Sequence, residues 1–380
     1  MTGRSDAHRS RIRAAAALVA VAAIALAACG GGGSGTGDDG SSRRTDATLV
    51  LDFVPGPVHA GIYDAVANGY YADAGIDLEI IEPTSTADTL KLIDAGKADF
   101  GLADGIDVAG QIAQGRSAKG ILALVQRPLG GLIALNRSGF GSPADLEGRT
   151  VGITGVPSDD AVLDTMVADA GGDPATVRTV TIGFNGVQDL EAGKIDAFTG
   201  YVPSDGVQVE ADGYPATSFD LDAYGGPRYP GLVAFSTVDK ISSEPDLMQA
   251  FVSATIKGYE DVLADPQAGL DALLAENPAI PERFAKASLD AYLPLFEAGA
   301  DRYGRFDAAD LRSLSRFLIA NHLIDEPIGP DRPGNVFVRP SARRRGGSAI
   351  RSARPVDELV RREAARPDRL VDQVVGGQEP

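Results

Sequence analysis

From Thr48 onward, short apolar runs alternate with stretches in which apolar residues recur every three or four positions. Thr48–Phe53 (TLVLDF) reads as a strand, His59–Asn68 as a helix closed by Gly69, and Ile76–Ile81 as the next strand. Thr86–Ala95 places Leu90 and Ile93 on one helical face and stops at Gly96, and Ala98–Leu102 resumes as strand. The rhythm returns with strands at Thr150–Ile153, Val177–Ile182 and Ile195–Tyr201 and helices at Ser158–Ala170 and Gly186–Ala192. Such alternation predicts mainly parallel sheets covered by helices, an α/β protein. From Glu244 to Leu323 the period is helical throughout. Leu247, Phe251, Ala254, Gly258 and Val262 form one stripe and Leu311, Leu314 and Leu318 another, which predicts core-facing helices packed on the first lobe.

An internal echo organises these elements. Ala95-Gly96-Lys97-Ala98-Asp99 and Ala192-Gly193-Lys194-Ile195-Asp196 share Ala-Gly-Lys-x-Asp at the same point of two βαβ runs. In each copy a helix ends at Gly, a Lys stands near its C-terminal dipole, and a strand follows. The repeat predicts two similar lobes, residues 48–140 plus 232–328 and residues 141–231. A ligand cleft would lie between them at the carboxyl ends of the strands.

Charge separates the body from its ends. The 380 residues carry a formal charge of −18, but residues 29–330 hold 20 basic against 45 acidic residues, a net of −25. An acidic body disfavours nucleic acid as a partner. One Cys and three His exclude a disulfide framework and argue against a multi-ligand zinc or iron site. The Cys has another use. Residues 1–28 pair Arg4, Arg9, Arg11 and Arg13 with an apolar run from Ala14 to Ala28, as a secretory signal does, and Leu26-Ala27-Ala28-Cys29 resembles a lipobox. Lipidation at Cys29 would anchor the chain to the membrane through the Gly/Ser-rich tether 29–47. Residues 329–380, with clustered Arg and no period, are expected to be largely disordered apart from a short helix at Val356–Ala365.

Particular segments carry a family resemblance. Leu51-Asp52-Phe53-Val54-Pro55, His59-Ala60-Gly61-Ile62-Tyr63, Gly69 to Asp77, Gly155 to Asp159, Tyr224 to Pro230 and Asp265-Pro266 resemble the SsuA/THI5-like (NMT1) solute-binding proteins of ABC importers over about residues 48–325. The pyrimidine-capturing branch that feeds thiamine synthesis is the most similar, with riboflavin-binding relatives beside it. The resemblance implies a type II periplasmic-binding-protein fold in which two α/β lobes close on a small molecule. It further implies a monomer that serves a permease and its ATPase and needs no cofactor or metal.

It also points to ligand contacts. Phe53 stands where the family often has Trp and offers a stacking face, although the neighbouring Asn donors are absent; Pro55 and His59 lie in the same loop. Pro157 and Ser158 open a helix whose N-terminus suits hydrogen-bond acceptors, and Ser158 is equally readable as its N-cap. Tyr201 and Asp205 follow a strand, and Asp205 either accepts paired hydrogen bonds from an amino-heterocycle or caps the helix running to Glu210. Tyr229 and Arg127 complete the candidates. Alternative ligands for this fold are riboflavin and sulfonate- or nitrate-type anions. The competing class is a pyrimidine synthase, as in the eukaryotic relatives that use lysine and histidine with pyridoxal phosphate and iron. Here Ala103 and Asp107 occupy those two positions, which argues against an enzyme.

Overall fold

The computed structural model describes residues 44–297 and 303–328; the leader, Cys29, the tether as far as residue 43 and the Arg-rich tail lie outside the described residues, while Thr45–Ala47, expected to end the tether, belong to the first strand. Within them are β1 (Thr45–Val50), β2 (Ile76–Ile81), β3 (Phe100–Ala103), β4 (Ala118–Val125), β5 (Gly130–Leu135), β6 (Thr150–Ile153), β7 (Arg178–Thr181), β8 (Ala197–Tyr201), β9 (Ala216–Asp220) and β10 (Leu232–Thr237). They form two five-stranded sheets, ordered β2-β1-β3-β10-β4 and β7-β6-β8-β5-β9. In the first, β2, β1 and β3 run parallel and β10 lies antiparallel to both β3 and β4. The second repeats this, with β7, β6 and β8 parallel and β5 antiparallel to both β8 and β9. The strand that runs against its neighbours arrives from the other lobe in each case, so the chain crosses between lobes twice. One consequence corrects the sequence-based partition: β5 falls within the range assigned to lobe 1, yet it pairs with β8 and β9 in the second sheet.

The echo is one structural device used twice. At Gly96 (φ +64°) and Gly193 (φ +70°) the helix closes in a Schellman motif, with Lys97 N–H donating to the Leu92 carbonyl and Lys194 N–H to the Asp189 carbonyl, 2.9 Å each. The conserved element of the echo then reaches sideways. Asp99 Oδ2 accepts from Thr48 N–H at 2.7 Å, and Asp196 Oδ2 accepts from Thr150 N–H at 2.8 Å. Each carboxylate thus pins the incoming strand to the neighbouring parallel strand. The Asp, rather than the Lys, is the shared structural element of the motif.

The helix Pro245–Ala264 lies across the helix Ala60–Ala67 so closely that a Cβ at Gly258 would overlap the Gly61 carbonyl oxygen. Its Leu247, Phe251 and Val262 join Leu49, Ile62 and Phe100 in the first-lobe core, and Phe251 stacks on Phe100 at 3.8 Å. Tyr259 donates to the Val58 carbonyl at 2.7 Å, which holds the loop between β1 and that helix. The last helix, Ala308–Ala320, departs from expectation. Its Leu314, Phe317 and Leu318 share a buried cluster with Ile106 and Ala109 and with Leu132, Val151 and Ala197 of the second sheet, because Phe317 widens the apolar stripe toward that side.

Candidate functional site

The strand ends of both lobes converge on a cleft of about 110 Å³. On the same measure one water needs about 10–15 Å³, so the cleft has room for a small planar molecule or several waters. Asp52 and Phe53 follow β1, Asp104 and Asp107 follow β3, Thr154, Ser158 and Asp159 follow β6, and Tyr201 and Asp205 lie at the end of β8. Such placement is general for open α/β sheets.

Carboxylates dominate the lining. Asp52, Asp104, Asp107 and Asp159 are only 3%, 7%, 7% and 6% exposed, Asp205 is half-buried, and no Lys, Arg or His lines the cleft with them. Buried charges without partners are costly, so the donors around each Asp matter. Asp159 is well supplied: Gly155 N–H and Val156 N–H donate to Oδ2 at 2.7 and 2.9 Å, and the Thr154 hydroxyl donates at 3.0 Å. Gly155 stands at φ +98°, a conformation that turns its N–H inward and that L side chains resist. Asp104 accepts from Ile106 N–H at 2.8 Å as the N-cap of the helix Gly105–Ala113, and from the Tyr229 hydroxyl at 3.2 Å. Among the described residues Asp107 accepts from the Ser158 hydroxyl alone, at 2.5 Å, a bond that crosses between lobes.

His59 is fully buried behind Asp52, with Nε2 at 2.8 Å from Oδ1. Gly56 N–H points at Nδ1, 3.1 Å away. A backbone N–H only donates, so Nδ1 is the acceptor and the ring proton sits on Nε2 facing Asp52. The imidazole in this tautomer is neutral and brings no positive charge to the cleft.

Titration follows this geometry. Burial, reinforced by the neighbouring Asp107 charge, holds Asp104 well above the ordinary carboxylate range. Burial pushes Asp107 up to about 7 against the hydrogen bond from Ser158, with Asp159 adding repulsion. Asp205 rises to about 6 through burial, opposed by Tyr201 N–H, which donates to its Oδ2 at 2.7 Å. The Tyr201 and Tyr229 hydroxyls are raised by burial and then by the charges of the cleft Asp residues.

The aromatic component comes from both lobes. Phe53 meets Phe184 edge to face, with centroids 4.2 Å apart and planes at 66°. Phe184 belongs to the loop after β7, in the gap between the expected strand Val177–Ile182 and helix Gly186–Ala192.

Of the sequence candidates, Phe53, Ser158, Tyr201, Asp205 and Tyr229 line the cleft; Pro55, His59, Arg127 and Pro157 do not. His59 is drawn inward by Asp52. Arg127 sits in the first crossing, where its carbonyl accepts from Gly231 N–H at 3.1 Å, and Pro157 points to solvent. Two capping expectations are replaced. Ser158 makes no cap bond, and Asp159 gathers the free amides of the preceding loop instead. Asp205 serves the wide turn Val202–Gly206 rather than the start of the next helix. Asp52, Asp104, Asp159 and Phe184 were absent from the candidates, and Asp107 entered only as the residue in place of a histidine.

Among the described residues, no group of three or more His, Cys, Asp or Glu is arranged to hold a metal ion, and no helix is long and apolar enough to cross a membrane. Comparison with known proteins gives a consistent result. The formylaminopyrimidine-binding protein of Halalkalibacterium halodurans is 31% identical over 74% of this chain and 86% of its own length. The 4-amino-5-hydroxymethyl-2-methylpyrimidine phosphate synthase of Legionella pneumophila is 28% identical over 67% of this chain and 81% of its own. Among solved structures, the alkanesulfonate-binding protein SsuA of Xanthomonas axonopodis pv. citri superposes with a TM-score of 0.60 at 14% identity, covering 75% of this chain and 96% of that one. That likeness establishes the periplasmic-binding-protein fold with its two α/β lobes. The sequence pattern of one family, described as NMT1/THI5 like, matches residues 56–269, more than half of the chain, and the protein belongs to that family.

Proposed function

We propose that this protein is the extracytoplasmic solute-binding subunit of an ABC importer, anchored through Cys29, and that it captures an amino-substituted planar heterocycle of the thiamine-precursor pyrimidine type. The observation that carries the reading is the cleft lining: five carboxylates and the Phe53–Phe184 pair, with no cationic side chain among them. Carboxylates accept; an aminopyrimidine donates from its amino group and presents a flat face for the two Phe rings. Sulfonate and nitrate require donors or positive charge, and this lining offers them repulsion. The formylaminopyrimidine-binding relative supports the same ligand class.

The relative named as a synthase raises the enzymatic alternative. A lysine that forms a Schiff base with pyridoxal phosphate is missing from the cleft: Ala103 ends β3 with no exposed surface, and no Lys lines the cavity. The residues present do not fit that cofactor, and binding without chemistry is the better reading.

Thermal-shift titration of the full chain tests the proposal. A ligand at a hundred times its Kd stabilises by about 2.7 kcal/mol. Formylaminopyrimidine, 4-amino-5-hydroxymethyl-2-methylpyrimidine or thiamine is expected to raise Tm, while ethanesulfonate and nitrate leave it unchanged. A response to the anions alone overturns the reading.

A further inference from the structure

We infer that Asp104 and Asp107 form a subsite for a cationic arm of the ligand, a protonated amine carried by the ring, and that this charge sets specificity among heterocycles of one shape. The inference rests on the reading of the cleft as a heterocycle site and adds the charge of its occupant.

The argument starts from donors. An ionised carboxylate offers about four acceptor sites. Asp159 receives two backbone N–H groups and a hydroxyl, and Asp104 receives one N–H and the Tyr229 hydroxyl. Asp107 receives one neutral hydroxyl on Oδ1, while Oδ2 has no hydrogen-bond partner among the described residues. Yet Asp107 is more than nine-tenths buried and lines the cavity. It stands one helical turn from Asp104, with Asp107 N–H donating to the Asp104 carbonyl at 3.1 Å, so two carboxylates share one end of the cleft.

Among the described residues, no cationic side chain lines the cleft to neutralise them. The surrounding side chains are Ser158, Asp159, Tyr201, Tyr229 and Asp52, all neutral donors or further acids, and His59 behind Asp52 presents a neutral ring. Two buried carboxylates side by side are stabilised by a shared proton or by a bound cation. Burial raises both groups, with the Asp107 charge adding to Asp104 and the Asp159 charge adding to Asp107, so without a ligand the pair holds a proton near neutral pH. A ligand ammonium takes over that role with N–H donors aimed at the unpartnered oxygen. The hydrogen bond from Ser158 places this subsite where the lobes meet, so an ammonium there touches both lobes at once.

The test compares probes matched in shape and differing in charge. Isothermal titration of the full chain at pH 7 uses 4-amino-5-aminomethyl-2-methylpyrimidine against its 5-hydroxymethyl isostere. Benzylamine against benzyl alcohol, followed by ligand-observed NMR, forms a second pair that lacks the pyrimidine. The amine is expected to bind at least tenfold tighter within each pair. Asp107→Asn, which keeps an acceptor for Ser158, is expected to reduce the ratio below threefold, and Asp104→Asn serves as an independent variant. Equal affinities within the pairs, or a preference retained in both variants, overturns the inference. If neither pyrimidine binds while benzylamine outcompetes benzyl alcohol, the pyrimidine reading fails and the cationic subsite stands. Absence of binding by all four overturns both.

Discussion

Asp107→Asn is expected to stabilise the ligand-free protein, by an amount that grows with pH. Asp107 is more than nine-tenths buried, and its carboxyl rises from the ordinary 3.8 to about 7. The folded state therefore holds a proton that the unfolded chain has released, so wild-type stability falls as pH rises between those values. Each unit of difference corresponds to about 1.4 kcal/mol, so Asp107 costs the fold about 4 kcal/mol at pH 8, where it is ionised, and about 2 kcal/mol at pH 5, where folding requires it to take up a proton. The amide keeps the acceptor for Ser158 and removes the charge. It also relieves Asp104, for which the Asp107 charge is the second cause of its raised value. At about 2 °C per kcal/mol for a body of this size, Tm should rise by roughly 8 °C at pH 8 and roughly 4 °C at pH 5. Differential scanning calorimetry of both proteins across pH 5–8 makes the measurement. A gain independent of pH, or a loss at pH 8, refutes the assignment of Asp107 as an uncompensated buried acid.

Three further outcomes follow from other contacts. Phe53→Ala and Phe184→Ala should each weaken aminopyrimidine binding about tenfold, since an aromatic contact contributes about 0.5–1.5 kcal/mol beyond its area, and calorimetric titration reads the change; unchanged affinity in both variants removes stacking from the account. Gly258→Ala should destabilise by about 1–3 kcal/mol in urea unfolding, because its new methyl group meets the Gly61 carbonyl oxygen and Ala65 across two packed helices. Asp99 has the opposite pH signature to Asp107: burial pushes it up, but Lys240 at 2.6 Å and Thr48 overcome burial and leave it below the ordinary value. Asp99→Ala should cost about 2–3 kcal/mol at neutral pH, with the difference from wild type shrinking as pH falls through the lowered native value; a constant difference down to pH 2 counts against the ion pair.

What the sequence disclosed depended on whether a signal was local. Ile76–Ile81 and Thr150–Ile153 emerge with the bounds expected, because Gly75 and the polar residues before Thr150 punctuate them. The antiparallel half of each sheet went unread. β4 (AKGILALV), β5 (GGLIAL) and β10 (LVAFST) are buried on both faces, so their apolar residues run without alternation and resemble a stretch of buried helix. β1 starts three residues earlier than the apolar pattern, at Thr45, because pairing with Ile76 extends it over polar residues. At the site, Phe53, Tyr201 and Asp205 were legible as residues just beyond a strand. Asp104, Asp107 and Asp159 each open a helix, where an acid is expected for local reasons, so only the convergence of strands exposes a second role. The inward turn of His59 rests on buried Asp52 and on the Gly56 amide, partners only a few residues away whose roles appear once the loop is folded.

The duplicated lobes explain why the acids converge. β1 and β6 hold equivalent places in their sheets, as do β3 and β8. Asp52 follows the first, Asp159 the second, Asp104 and Asp107 the third, and Asp205 the fourth, so each pair of equivalent strand ends delivers a carboxylate to one cleft. The supply of donors breaks the symmetry. In the second lobe, loop amides satisfy Asp159 and the Tyr201 amide satisfies an oxygen of Asp205, whereas in the first lobe Asp107 depends on a hydroxyl borrowed from the opposite lobe. An incoming donor therefore finds the greatest unmet acceptor capacity at Asp107. Here Asp107 on one lobe keeps an unmet oxygen, and its one donor among the described residues, the Ser158 hydroxyl, reaches its other oxygen from the opposite lobe, so the residue that most needs a ligand is also one through which the lobes meet.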